Sequence, residues 1–338
     1  MPSTRASGML VPAAAFAATF ATAVVTGDQL SRRLPVEGDR RDQLVAGERP
    51  DDGDHYLAND IAGHVDHHVL YFGTDPEALA RLRAAEVLFL GNSRVMFGLR
   101  PRVLRPFFDA EGLSYYVLGF GYREADRFPL AIIRKFDLRP KLVVVNADGF
   151  FANRLSDWAE VVNRDTPFAA RKLQIEAEIG HEFRQSVHAV LPHWLELYGR
   201  PGLRTLRTFT AYRSRFDGTW IVSPWRAGTT AFPTFPLDGP RAGRDELAAA
   251  RAFKAELDAR GSRLVLTRVP TPEPMPGGGP AVFAEALGVP LVTADIAGPS
   301  SHDHSHLDRA SALDWSRAFV RALTPFLRDL KASRTAAE

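Results

Sequence analysis

Four short, almost continuously apolar segments, separated by helical stretches, constrain the fold of this chain more than any other feature. The segments cover residues 87–90, 114–118, 142–145 and 263–267, and a weaker fifth covers 290–293. Stretches with helical character cover residues 124–136, 244–260, 280–287 and 310–330. Strands that are apolar on both faces and alternate with helices indicate a parallel sheet covered on both sides. The sequence therefore predicts an α/β fold with a mostly parallel, five-stranded sheet.

The composition excludes several classes of function. The chain has 338 residues, of which 45% are hydrophobic and 24% are charged, as in packed globular proteins. Lys and Arg number 42 against 40 Asp and Glu, so the net charge is only +2. That balance does not provide the field of a nucleic-acid-binding protein, and we expect no nucleic-acid partner. Cysteine is absent, which excludes disulfides, thiolate metal sites and a cysteine nucleophile.

The N-terminus resembles an export signal. An uncharged, mainly apolar and Ala-rich run covers residues 9–26 and follows a single Arg, which is the layout of a signal peptide or signal anchor. We therefore predict a signal or anchor segment at 1–27, with the rest of the chain facing the periplasm or the exterior. The chain would be secreted if this segment is cleaved, and a buried Ala-rich helix is the alternative.

The remaining chain is predicted to be one domain with an insertion. Residues 28–54 are polar and charged and are expected to form a linker, and residues 331–338 a short tail. The domain itself is predicted to cover 55–330. Its strand and helix rhythm is interrupted at about 151–240 by a segment rich in aromatic residues and Arg, which we expect to be mainly helical. Aromatic and basic residues interleaved in this way can bind sugars or single-stranded nucleic acid. We favour an insertion with its own small core, and both interpretations can hold together.

Residues that follow the strands are the candidates for chemistry, because sites in parallel sheets form beyond the carboxyl ends of the strands. Ser93 follows the first apolar run, at a turn that Gly91 permits. A serine needs a base to become a nucleophile, and His306, just before the last helix, is our candidate. Asp303 precedes it by three residues, a spacing that allows the carboxylate to orient the imidazole.

Other polar residues at the same predicted edge have less specific signals. Arg94 follows Ser93 and is predicted to bind substrate or stabilise charge, or to form an ordinary ion pair with Glu124 or another acid. Glu124 itself is expected to cap the helix that follows it. Asn146 and Asp148 follow the third run, where they also fit a helix cap.

Two clusters rich in His offer a metal site as an alternative. One comprises His55, His64, Asp66, His67 and His68, and the other comprises His302, Asp303, His304 and His306. Neutral imidazoles at short spacing bind zinc when further ligands come from elsewhere in the chain. We rank metal-dependent hydrolysis below serine catalysis and expect neither a metal nor another cofactor.

The arrangement of these residues resembles the SGNH/GDSL hydrolase superfamily. The first block of that family matches Gly91-Asn92-Ser93, and its last block, Asp-x-x-His before the C-terminal helix, matches Asp303 and His306. The resemblance covers about residues 84–150 and 244–330 and implies a flavodoxin-like, three-layer α/β/α sandwich. It implies Ser93, Asp303 and His306 as the catalytic residues.

The resemblance also implies an oxyanion hole and a substrate class. The N–H groups of Ser93 and Gly119 would belong to the hole, with Asn146, because Asp148 stands where the family has Asn and an ionised carboxylate cannot donate. Asn92 and Arg94 would lie at the substrate. The family's exported, membrane-anchored bacterial members suggest an esterase or O-acyltransferase acting on acyl esters, such as acetyl esters, of cell-surface carbohydrate. A non-catalytic component of polysaccharide binding or assembly is the alternative that Asp148 favours.

Overall fold

The structure of the chain is a computed structural model that describes residues 53–60, 63–121, 124–197, 210–223, 230–232, 242–272 and 279–335. Side chains are described in these ranges except at 184–197 and 333–335. The predicted signal or anchor segment at 1–27 and the linker as far as residue 52 lie outside the described residues. None of the helices in the described ranges combines the length and the apolar character needed to cross a membrane.

The strands and helices are numbered along the chain. The strands are β1 (His55–Asp60), β2 (Gly63–His64), β3 (Val87–Gly91), β4 (Tyr115–Gly119), β5 (Leu142–Asn146), β6 (Thr210–Ser214), β7 (Trp220–Ser223), β8 (Thr230–Ala231), β9 (Arg263–Thr267), β10 (Leu291–Val292) and β11 (Ser300–Ser301). The helices are α1 (Val65–Phe72), α2 (Pro76–Ala84), α3 (Ser93–Gly98), α4 (Pro101–Glu111), α5 (Arg127–Lys135), α6 (Asp157–Arg164), α7 (Pro167–Leu197), α8 (Arg244–Ala259), α9 (Pro280–Leu287) and α10 (Arg309–Thr335).

A five-stranded parallel sheet forms the centre of the molecule, which confirms the predicted α/β class. Its strand order is β10-β9-β5-β3-β4, and every neighbouring pair is parallel. The strands β3, β4 and β5 are buried along their whole length, as near-continuous apolar runs require. Because all five strands run the same way, the residues that follow β3, β4, β5 and β9 lie at one edge of the sheet.

Helices cover both faces of this sheet, so the molecule has three layers. On one face, Phe89 and Val144 pack with α3, α4 and α10, where Trp315 and Phe319 are fully buried. On the other face, Leu88 and Val145 pack with α5, α8 and α9. Full burial of such a side chain contributes about 1.5–3 kcal/mol, so the two apolar interfaces are the main source of stability. The last helix continues to Thr335, five residues into the predicted tail.

A second, antiparallel sheet was not predicted from the sequence. Its order is β2-β1-β6-β7, with Tyr56 opposite Arg213 and Tyr212 opposite Ile221. The segment predicted as a mainly helical insertion thus begins with helices α6 and α7 but continues with β6, β7 and β8. The prediction failed there because β1 and β6 contain buried polar residues and pair across about 150 positions of the sequence. A short antiparallel pair of β8 and β11 lies just before the predicted Asp-x-x-His segment.

Candidate active site

Ser93 is the first residue of α3, and the backbone around it explains why. The side chain of Asn92 caps this helix by accepting a hydrogen bond from the Arg94 N–H at 3.0 Å. Gly91 has a φ of +155°, and a Cβ placed there would lie 2.5 Å from a methyl of Val95. A glycine is therefore needed between β3 and α3, and the turn presents Ser93 at the carboxyl edge of the sheet.

Ser93, His306 and Asp303 form a continuous chain of hydrogen bonds. The Ser93 Oγ lies 2.7 Å from His306 Nε2, and His306 Nδ1 lies 2.6 Å from Asp303 Oδ2. An ionised carboxylate only accepts, so Nδ1 carries a proton and Nε2 of the neutral ring accepts from the Ser93 hydroxyl. The structure therefore brings together the three residues that the sequence singled out, in the order nucleophile, base and orienting acid.

The Asp303 carboxylate is stabilised in its ionised form. Burial alone would raise its pKa, but the hydrogen bond from His306, the charge of that ring and two backbone N–H donors hold the pKa well below its usual range. The donors are the N–H groups of Ser305 and His306, at 3.0 and 2.8 Å from Oδ1. Phe97 of α3 packs on the His306 ring with centroids 4.4 Å apart. The His306 ring is therefore held on one face by Phe97 and on one edge by the Asp303 carboxylate.

Arg94 forms an ion pair with an acid, which is one of the roles predicted for it. Its Nη1 donates to the Asp148 carboxylate and its Nε donates to the Ser305 carbonyl at 3.3 Å. Both Arg94 and Asp148 are buried. The alternative interpretation, an ion pair with an acid, is the one that the structure supports, although the acid is Asp148 and not Glu124.

Asn92 and Asp148 contact each other as well, through side chain and backbone. The Asn92 Nδ2 donates to the backbone carbonyl of Asp148 at 3.1 Å, so both ends of this amide make hydrogen bonds at the turn. The Asp148 side chain accepts from Arg94, so it supplies no donor to an oxyanion. Asn92 and Asp148 therefore connect the start of α3 to the end of β5.

Besides the Ser93 N–H, two oxyanion donors were predicted, Asn146 Nδ2 and the Gly119 N–H, and their surroundings differ. Asn146 is buried, and its Oδ1 accepts from the Val269 N–H at 3.0 Å. Its Nδ2 is buried and makes no hydrogen bond to the described residues. The Gly119 carbonyl, by contrast, accepts from Arg213 at the outer edge of β4.

The backbone direction at Gly119 corrects the prediction for that residue. The N–H and the carbonyl of Val117 both face the outer edge, where they bond to Asp217 and Arg213. Backbone groups alternate along a strand, so the Gly119 N–H faces the same outer edge, away from β3 and Ser93. The next N–H, of Phe120, donates to the Gly91 carbonyl at 3.0 Å.

Arg268 is a residue of this edge that the sequence reasoning missed. It directly follows β9 and is buried, and the charges of Asp148 and Arg94 both act on it. Burial lowers the pKa of its guanidinium, while Asp148 opposes that shift. The rule that selected Ser93 and Asn146, a position close after an apolar run, also selects Arg268 when it is applied to the fourth apolar run.

The residues of the two His-rich clusters have several partners in the protein. Ligand-type atoms of His302, Asp303 and His306 lie within 4.8 Å of one another, but both ring nitrogens of His306 are bonded within the Ser93 chain. The same closeness holds for His64, Asp66 and His67. His68 instead bonds to Asp165 at 2.7 Å.

Glu124 contacts the cluster of His64, Asp66 and His67 and does not cap a helix. The helix α5 begins after Asp126, whereas the carboxylate of Glu124 is buried, accepts from Ser156 and lies 3.3 Å from His67 Nε2. The other ring nitrogen of His67 lies 3.0 Å from Asp66. His67 is therefore held between two carboxylates beneath the turn that follows β4.

Comparisons with known proteins place these residues in no family. Neither the protein-family models nor the curated proteins contain a match to this sequence. Among solved structures, the crystal structure of a candidate acylhydrolase from Bacteroides fragilis is similar to this chain, with a TM-score of 0.34 and 13% sequence identity. That similarity covers 74% of this chain and 93% of the other.

Proposed function

We propose that this chain is a serine-dependent esterase or O-acyltransferase that forms an acyl-enzyme on Ser93. The observation that carries the proposal is the hydrogen-bonded chain from Ser93 through His306 to Asp303. Hydroxyl, imidazole and carboxylate in this order are what acyl transfer through a serine requires.

In the proposed reaction, the Ser93 Oγ attacks the carbonyl carbon of an ester while its proton passes to His306 Nε2. The Asp303 carboxylate stabilises the resulting imidazolium and keeps the proton of Nδ1 in place. The tetrahedral intermediate then breaks down, and Nε2 delivers the proton to the leaving alkoxide. Water or a second hydroxyl group attacks the acyl-enzyme in the reverse sequence of proton transfers, which regenerates Ser93.

The family and the setting are part of the same proposal. A turn with Gly91, Asn92 and Ser93 after the first strand of the parallel sheet, together with Asp-x-x-His before the last helix, supports membership of the SGNH/GDSL superfamily. The apolar N-terminal run supports export and membrane attachment, or secretion after cleavage. A cell-surface carbohydrate carrying acetyl or other acyl esters is the substrate class that fits both.

Labelling with a fluorophosphonate probe tests the proposal. The full chain should form a covalent adduct, and Ser93→Ala should form none. Ser305→Ala is the matched control, because the bonds of Ser305 to Arg94, Thr271 and Asp303 are made by backbone groups that the change keeps, and it should label at the wild-type rate. Equal labelling of wild type and Ser93→Ala would refute the assignment.

A non-catalytic role in polysaccharide binding or assembly is the second candidate. The observation that favours it is that the Asp148 side chain accepts from Arg94 and offers no donor to an oxyanion. This role predicts that the wild-type protein does not label and that cells carrying His306→Ala keep the normal surface polysaccharide.

A further inference from the structure

A buried arginine of the antiparallel sheet, Arg213, contacts the outer edge of the parallel sheet at the end of β4. Arg213 of β6 is fully buried, and its Nη2 donates to the carbonyls of Val117 and Gly119 at 2.5 and 3.0 Å. Its Nη1 donates to Asp66 at 2.9 Å. One guanidinium thus joins β4 to the start of α1, and it does so at the residue where β4 ends.

The partners of Arg213 extend this contact around the turn that follows β4. Asp66 bonds to His67, which lies against Glu124 on its other side. His67 and both carboxylates are fully buried. Arg213, Asp66, His67 and Glu124 therefore form one connected buried network.

The same network packs on the side chains of the turn. The Phe120 ring lies 5.2 Å from the Arg213 guanidinium and 4.6 Å from the His67 ring. His64 lies so close to Gly121 that a Cβ there would be 2.7 Å from its ring. The backbone from Gly119 to Gly121 is therefore fixed by contacts that come from the antiparallel sheet and α1.

We propose that Arg213 is a positioning residue that sets the turn of Gly119, Phe120 and Gly121 so that the Gly121 N–H serves the oxyanion. The proposal rests on the proposed function. The Gly119 N–H faces the outer edge and the Phe120 N–H is used by Gly91, so Gly121 carries the first N–H beyond the sheet. Within the described part of the chain, no hydrogen bond engages that N–H. Arg213 touches no reacting atom and acts only through the backbone it holds.

Steady-state hydrolysis of 4-nitrophenyl acetate by the full chain tests this role. In Arg213→Met we expect kcat to fall about 100-fold, since a shift of about 1 Å in a catalytic group has an effect of that size. KM should stay within about twofold, because an oxyanion donor acts mainly in the transition state.

Arg215→Met is the matched control. Arg215 also bonds to one carboxylate, Asp75, and to two backbone carbonyls, of Gly53 and His55, but these lie away from the end of β4. We expect its kcat to stay near the wild-type value even where the melting temperature falls. Equal losses of kcat in Arg213→Met and Arg215→Met would show a general structural role and overturn the proposal.

A conservative variant covers the case in which Arg213→Met does not fold. Arg213→Lys keeps a cation beside Asp66 but cannot make all three hydrogen bonds, and we expect a kcat between those of Arg213→Met and wild type, roughly tenfold below the latter. A folded Arg213→Lys with wild-type kcat would overturn the proposal. Ser93→Ala separates the two hypotheses: if it is inactive while Arg213→Lys is fully active, only the positioning role fails, whereas an active Ser93→Ala refutes the proposed function.

Discussion

The guanidinium of Arg94 donates to the carboxylate of Asp148, and both side chains are buried beside the candidate nucleophile. Replacing one member of such a pair leaves a buried charge without its counter-charge. We therefore expect Asp148→Asn to lower the free energy of unfolding by about 3 kcal/mol, which urea denaturation would measure. The change introduces the amide that the proposed family carries at the corresponding position, but we expect no rise in esterase activity.

The exposed pair of Asp314 and Arg317 provides the comparison. Their side chains are more than half exposed, and Asp314→Asn should leave the denaturation midpoint almost unchanged. A folded Asp148→Asn with wild-type stability and higher kcat would mean that this position supplies an oxyanion donor after all.

Asp303→Asn should abolish most of the activity without unfolding the protein. The carboxylate accepts the Nδ1 proton of His306, and an amide in its place allows the wrong tautomer of the ring. We expect kcat for ester hydrolysis to fall by about 10⁴-fold, with an unchanged circular dichroism spectrum. Asp308→Asn is the control. Asp308 lies five residues away and caps α10 by accepting from the Ser311 N–H, so this variant should keep its kcat within about threefold of wild type. A loss of less than tenfold in Asp303→Asn would remove the acid from the proposed mechanism.

Asn146→Asp separates the structural and the catalytic use of one side chain. The aspartate keeps an oxygen that can accept from the Val269 N–H, but it replaces the Nδ2 donor with a second acceptor. We expect kcat to fall by about 10²–10³-fold with KM little changed, the usual effect of losing one oxyanion donor. Burying an ionised carboxylate also lowers the free energy of unfolding, so kcat is measured at a temperature where circular dichroism shows the variant folded. An unchanged kcat would place Asn146 among the residues that merely support the sheet.

The stability of the protein at acid pH should depend on His64. Burial, assisted by the charge of His67, lowers the pKa of His64 to about 4. Between about pH 4 and 6.5 the unfolded chain therefore binds this proton and the folded chain does not, so the free energy of unfolding falls as the pH drops. In His64→Phe, urea titrations at several pH values should show a shallower fall than in wild type.

Asp126 provides a variant with the opposite sign. Burial raises its pKa to about 6, so the folded chain keeps a proton that the unfolded chain loses near pH 4, and stability falls as the pH rises through this window. Asp126→Asn should therefore steepen the acid-side fall that His64→Phe makes shallower. Shifts of the same sign in both variants would contradict the pKa directions.

The central sheet was predictable because its signals are local. Apolar runs ended at or next to Gly91, Gly119 and Asn146, and β3, β4 and β5 end at these residues. The Asp-x-x-His segment was also readable, because three residues are enough to bring Asp303 and His306 together. Its contact with Ser93 could be inferred from the rule that sites form at the carboxyl edge of a parallel sheet and from the resemblance to the SGNH/GDSL superfamily.

The antiparallel sheet and the direction of the Gly119 N–H were beyond the sequence signals. Arg213 looks like a surface residue in a polar segment, and nothing in its neighbourhood indicates that β6 lies beside the end of β4. Successive residues of a strand point their N–H groups to opposite edges, so the direction of the Gly119 N–H depends on the register of β4. A shift of one residue reverses that direction. Such features are decided by tertiary contacts and not by composition or periodicity.

The separation of Ser93 and His306 along the chain has a consequence for biosynthesis. These residues lie 213 positions apart, and the bonds of Ser316 to Arg100 and Gly98 join segments just as distant. During synthesis, α3 leaves the ribosome long before α10 is made. Until then Ser93 has no His306 to contact, and the apolar face of the sheet that α10 covers stays exposed. Under the proposed function, activity would appear only after synthesis has reached the final helix, and a chain that ends before residue 306 would keep β3, β4, β5 and β9 but hydrolyse no ester.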